Sequence, residues 1–279
     1  MIKMIKCIDF DEKFGKYAEG WIAANRSKYK NMDLLEEQIP ELYLRWLNAP
    51  ADWLDGKTPG EWFSQYEDAG ELVELMRAYQ KAKINMPDPL LERVTDLGED
   101  AVEPLMQLVR EYNQDRGLAI SALNLLIELG SSAPMEMCLD IISKADGQNE
   151  LTDVASELLG GLGDEVIEPV ISRMENVSRT AEDCFLDVLC NFPGDERIYT
   201  YTVNAFNRRY DRRALYASYL GKLGDPRAIE ILSKAMDLSD ISYLDYIEIV
   251  NAIEALGGEV SADREFNGDP YYESLKKMK

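Results

Sequence analysis

Histidine is missing from this chain altogether. Its absence excludes Ser-His-Asp and Cys-His catalysis and every histidine-bearing metal site. Cysteine is scarce: Cys7, Cys138, Cys184 and Cys190, with no CxxC pair. That spread argues against a disulfide framework or a structural zinc site, and the four read as reduced, mostly buried thiols. No apolar run reaches the roughly 18 residues of a membrane helix. The opening "MIKMIKCIDFDEKF" lacks the long apolar core and small-residue cleavage site of a signal peptide, so a cytoplasmic location is expected. No catalytic set, cofactor or metal ion is expected.

Positive charge is short as well. The 279 residues hold 30 Lys+Arg against 52 Asp+Glu, a net charge of -22. Residues 1–85 contribute 12 against 15, residues 86–260 contribute 14 against 33, and residues 261–279 balance at 4 against 4. The acidity therefore sits in the middle of the chain. Such a surface repels nucleic acid and anionic membranes and attracts basic partners. With 46% hydrophobic and 29% charged residues, the chain has the make-up of a folded globular protein.

What is present is a repeat. "DLGEDAVEPLMQLV" at Asp96, "GLGDEVIEPVISRM" at Gly161 and "KLGDPRAIEILSKAM" at Lys222 are versions of one unit, with looser copies at Glu128 and Phe192. The turn glycines are Gly98, Gly130, Gly163, Gly194, Gly224 and Gly257, spaced 32, 33, 31, 30 and 33 residues apart. Each unit predicts a first helix (A), a short polar loop and a second helix (B) ending at the next "LG". Glycine stops helix B in the left-handed conformation, and Asp164, Asp195 and Asp225 follow where a capping side chain is wanted. Pro226 suits a first helical turn. Pro104 and Pro169, inside two A helices, are expected to bend them.

"LGDPRAIEILSKAM", with "RRALYASYLGKLG" before it, resembles HEAT-like repeats of the phycobilin-lyase type over about residues 86–260. The Trp/Gly/Tyr signature of tetratricopeptide repeats is absent. The resemblance implies an all-α fold, a right-handed α-solenoid of about five HEAT-like helix pairs. Residues 1–85, which hold all four tryptophans, are expected to form a helical cap region. Helices are predicted over about 11–29, 33–48 and 69–83, with Thr58 before Pro59 as a further helix start. Residues 261–279 read as a C-terminal tail or cap.

Known enzymes on HEAT-like repeats set a test by residue type. Deoxyhypusine hydroxylases need histidine iron ligands, which this chain lacks. Alkylpurine DNA glycosylases need a basic groove, which this acidic array does not offer. Adjacent carboxylates such as Glu99 and Asp100 abound, but 52 acids generate such pairs freely. "DGQNE" at 146–150 lacks the alternating ligands of a calcium loop.

In the resembled solenoids the B helices line the concave face. Aligned on their closing "LG", these helices place Asn124, Glu157, Asp187, Ser218 and Asn251 at one equivalent outward position. Glu128, Asp153, Glu182 and Asp183 fall on the adjoining surface. This acidic ladder predicts a protein-protein interaction scaffold or adaptor that holds a basic peptide or protein segment. The alternative is an enzyme or lyase-like subunit acting on a small or tetrapyrrole-like ligand. It requires an apolar pocket with converging acids near the Trp-rich region.

"NRRYDRR" at 207–213 is a basic island on this acidic array. It spans the end of one helix A and the start of the next helix B. Arg208 and Arg209 fall at a helix C-terminus, where the dipole favours positive charge. With Arg212 they are placed to contact an acidic group. Arg213 matches a scaffold arginine of the resembled repeat, expected near the LGD aspartates.

Overall fold

The computed structural model describes residues 7–260 and 264–277, and every regular element among them is helical. Residues 1–6 of the expected cap region, and 261–263 and 278–279 of the expected tail, lie outside the described residues. The chain divides into two compact units, Met1–Met137 and Cys138–Lys279.

In the first unit, α1 (Phe10–Asn25) is capped by Asp9, whose side chain accepts the Glu12 N–H at 2.8 Å. The predicted helix over 33–48 is two helices, α2 (Met32–Glu36) and α3 (Ile39–Leu47). Pro40 is the cause, because it has no N–H to bond back into the preceding turn and so a helix restarts around it. α4 (Ala69–Ala82) closes on Lys83, itself left-handed at φ 56°. Thr58 starts no α-helix. Its hydroxyl accepts the Glu61 N–H at 3.2 Å, and only the short 3-10 turn Trp62–Gln65 follows.

Aromatic rings build this end of the core. Phe10 meets Trp46 and Trp53 edge-on at 6.1 and 5.7 Å, and Trp46 stacks on Trp53 at 6.3 Å. α5 (Asp88–Asp96), α6 (Val102–Arg110) and α7 (Arg116–Glu128) complete the unit. The Trp-rich part is tied to these helices by Arg77 on Glu111 at 2.6 Å and Gln80 on Asp115 at 3.1 Å.

α8 (Met135–Ser143) spans the division between the units. The second unit continues through α9 (Glu150–Gly161), α10 (Ile167–Arg173), α11 (Arg179–Leu189), α12 (Glu196–Arg208), α13 (Arg213–Leu223), α14 (Ala228–Met236), α15 (Tyr243–Ala255) and α16 (Pro270–Lys276). The even-numbered helices α6 to α14 are the A helices, and the odd-numbered α7 to α15 are the B helices. The architecture is an all-α succession of HEAT-like helix pairs.

The turn glycines carry this regularity. Gly98, Gly130, Gly163, Gly194, Gly224 and Gly257 have φ values of 59, 64, 81, 100, 69 and 83°. A Cβ at any of them would meet nothing within 4 Å, so it is the left-handed dihedral, not space, that calls for glycine. Pro104 and Pro169 do not kink a long helix. Each is the third residue of a short α-helix preceded by a 3-10 turn, Gly98–Ala101 or Asp164–Val166. There the missing N–H falls among groups with no intrahelical partner. Asp195 caps α12 by accepting the Arg197 N–H at 2.8 Å, and Asp225 accepts the Arg227 N–H at 2.9 Å. Asp164 makes no cap bond and opens its 3-10 turn instead.

Side-chain size sets the spacing of the B helices. Gly221 lets α13 lie against α15, since a Cβ there would stand 3.2 Å from Ala252 Cα. α11 and α13 approach less closely, with Tyr216 and Tyr219 between them in edge-to-face contact at 5.9 Å. That wider gap holds the polar cluster described next.

Candidate functional site

Asp183 lies in the gap between α11 and α13, on the first of these helices. The alignment of B helices places it on the surface, but it is 7% exposed. Burying a carboxylate is costly unless it is paired and hydrogen-bonded. Here the Tyr216 hydroxyl donates to its Oδ1, and Arg209 Nη1 donates to the same oxygen at 3.3 Å. Arg212 Nε stands 3.5 Å from Oδ2. The Tyr219 hydroxyl donates to the Asp183 backbone carbonyl at 3.3 Å. Burial first, then the bond to Asp183, raises the Tyr216 phenol well above its usual range, so it stays a donor.

The basic island thus turns inward only at Arg209, while the Arg208 and Arg212 side chains pair with α11 from the exposed side. Arg208, the last residue of α12, pairs with Glu182. Arg209 is 5% exposed and also reaches Glu182 at 3.7 Å and Asp211 at 3.2 Å. Glu182 and Asp183 are therefore already neutralised within the fold. Arg213 behaves differently from the expectation. The LGD aspartates are held by other arginines: Asp195 by Arg197 at 2.7 Å and Asp225 by Arg227 at 2.6 Å. Each of these arginines reaches back to a glutamate of the preceding A helix, Arg197 to Glu168 at 2.6 Å and Arg227 to Glu196 at 2.8 Å. The spacing was visible in "GDER" and "GDPR", where an arginine follows the turn aspartate by two.

Next to the cluster a pocket of about 270 Å³ opens between α9, α11 and α13. Its lining brings together Asp153, Asp183 and Asp187, with Ser156, Cys184 and Tyr219 between them. Asp153 accepts from Gln148 at 3.0 Å and has no ion pair among the described residues. Asp187 is 3.6 Å from Lys222, a loose pair. Burial raises the Cys184 thiol above its ordinary value. Glu157, one turn beyond Asp153, is exposed and makes no hydrogen bond or ion pair among the described residues. Ser218 and Asn251 are exposed on α13 and α15. In the first unit, Asn124 and Glu128 are exposed on α7.

A second pocket, of about 650 Å³, lies in the first unit beside the Trp-rich part. It is lined by Gln80, Lys83, Asn85, Met86 and their neighbours, without a carboxylate among the described residues. The converging acids of the enzyme alternative are not found there. Among the described residues no group of side chains is arranged to hold a metal ion, and no helix is long and apolar enough to cross a membrane.

A family model described as PBS lyase HEAT-like repeat matches residues 217–237. That span covers the second half of α13, the Gly224 turn and α14. No curated protein matches the chain. With the matched turn recurring through five helix pairs, this chain is a HEAT-like repeat protein.

Proposed function

We propose that this protein is a non-enzymatic scaffold that binds a basic peptide or protein segment along its B helices. The observation that carries the reading is the pocket shared by Asp153, Asp183 and Asp187, with Glu157, unpaired among the described residues, beside it. Glu182 and Asp183 shape this surface but do not supply its free charge, since internal arginines hold them. The attractive groups are Asp153, Glu157 and Asp187, with Ser218 and Asn251 as neutral polar contacts. The net charge of -22 steers a basic segment toward the protein before docking. We place the Trp-rich residues 1–85 as the cap of the repeat array at 86–260. The cytoplasm is the compartment consistent with this reading.

Affinity then depends on ionic strength. Fluorescence anisotropy of a labelled Lys/Arg-rich dodecapeptide is expected to show binding that weakens steadily as salt is raised from about 0.05 to 0.5 M, as the Debye length contracts. Binding unchanged over that range contradicts the proposal.

A further inference from the structure

The second unit carries another pocket, of about 340 Å³, between the end of α12, the start of α13 and α14. No residue lines both this pocket and the acidic one. Its walls are Phe206, Ile231, Ala235 and Leu238, with Tyr210 at the edge, 68% exposed. Two cations face it, Arg213 and Lys234.

Arg213 is 8% exposed yet makes no side-chain hydrogen bond or ion pair among the described residues. Its guanidinium lies over the Tyr210 ring, whose centroid is 5.0 Å from the guanidinium carbon. The surrounding carboxylates are engaged elsewhere. Asp211 pairs with Arg209 at 3.2 Å. Asp245 accepts the Ala214 N–H at 2.9 Å and the Ser242 hydroxyl at 2.8 Å. Lys234 is tied to Glu230 at 2.6 Å on the outside of α14. A guanidinium presents five donors in a planar fork that matches a carboxylate. No side-chain nitrogen among the described residues is both sealed off and without a hydrogen-bond partner, so the unbonded Arg213 fork opens into the pocket and is free to take an anion there. Every other buried ionic group described above has its partner within the chain, so Arg213 is the exception.

We propose that this pocket is a binding site for a carboxylate carried on an apolar body. The carboxylate sits on the Arg213 fork, and the body fills the space between Phe206, Ile231 and Leu238 under the Tyr210 ring. A free aryl-alkanoic acid and the C-terminal residue of a polypeptide share this chemistry. The site is independent of the acidic B-helix surface, so its test can fail without touching that reading.

The probes are 4-phenylbutyrate and N-acetyl-Leu-Phe, each set against its primary amide, with acetate and inorganic phosphate as anions that lack the body. Calorimetric titration of the full chain is expected to show the acids binding about tenfold or more tighter than their amides, the scale of a charge-assisted hydrogen bond. The tighter of the two acids identifies the source. Arg213→Met is expected to abolish the difference between acid and amide while leaving the thermal midpoint of the ligand-free protein unchanged or raised. A purely structural arginine predicts a lowered midpoint instead. Tyr210→Ala, a change at an exposed ring, is expected to weaken the acids at least about threefold, since it removes the stacked edge of the site. The proposal is overturned if acids and amides bind alike, if Arg213→Met keeps the preference or lowers the midpoint, if acetate or phosphate binds as tightly as the acids, or if neither acid binds.

Discussion

The Asp183 cluster makes a sharp prediction for Arg209→Met. Methionine keeps the buried apolar stem of the arginine and removes its charge. Asp183 then stays buried, retaining only the Tyr216 hydroxyl and Arg212, whose Nε is 3.5 Å away on a side chain 44% exposed. Breaking a buried ion pair by removing one partner typically costs about 3–5 kcal/mol. The two remaining partners place this case near the lower end, at about 3 kcal/mol. With a urea slope of about 3 kcal/mol/M for a chain of this size, the midpoint falls by about 1 M. Asp183→Asn keeps the Tyr216 bond and leaves Arg209 paired with Asp211 and Glu182, so it costs less, about 1–2 kcal/mol. The double variant is expected to cost less than the sum of the singles by about 1–2 kcal/mol, because each single strands a charge that the other removes. The assay is urea unfolding followed by circular dichroism. A cost for Arg209→Met below about 1 kcal/mol, the range of an exposed pair, refutes the burial argument.

Two further outcomes follow from the turns and the helix spacing. Glu168, Asp195, Glu196 and Asp225 are held below their ordinary pKa values, chiefly by hydrogen bonds from Arg197 or Arg227. A depressed folded-state pKa contributes stability that is present above the unfolded value and lost as pH falls through the folded one. The urea midpoint is therefore expected to drop below about pH 4, and more shallowly in Arg197→Gln/Arg227→Gln; an unchanged pH profile in that variant counts against the inter-repeat pairs. Gly221→Ala gains helix propensity but drives a Cβ to 3.2 Å from the Ala252 backbone, so a net loss of about 1 kcal/mol is expected by thermal unfolding, and a stabilised variant contradicts the close α13–α15 contact.

The fold was largely legible because each turn imposes a backbone demand that one residue type meets. Six glycines at repeat spacing, all at positive φ, mark the ends of α5 and of the five B helices. What the periodicity missed lay where a proline or a neighbouring helix decides. Pro40 splits a segment that reads as one helix, and Pro104 and Pro169 sit after 3-10 turns that hydrophobic spacing does not reveal. Asp183 and Asp187 are four residues apart, hence near one helix face, and from sequence both read as surface positions. Tyr216 and Tyr219 cover only the first, an outcome of the partner helix and not of α11. Arg213 followed the repeat's sequence pattern while its anticipated aspartate partners were taken by Arg197 and Arg227, whose "GDxR" spacing was there to be read.

The most direct test of the scaffold account is charge reversal at the free acids of the B-helix surface. Asp153→Lys/Glu157→Lys changes groups without an ion pair among the described residues, so the fold is expected to survive, as circular dichroism will register. Two exposed contacts of about 0.2–1 kcal/mol each, turned from attraction to repulsion, are expected to weaken the basic dodecapeptide by about tenfold at physiological salt. Peptide affinity within about twofold of the unaltered protein, with the fold intact, contradicts the account.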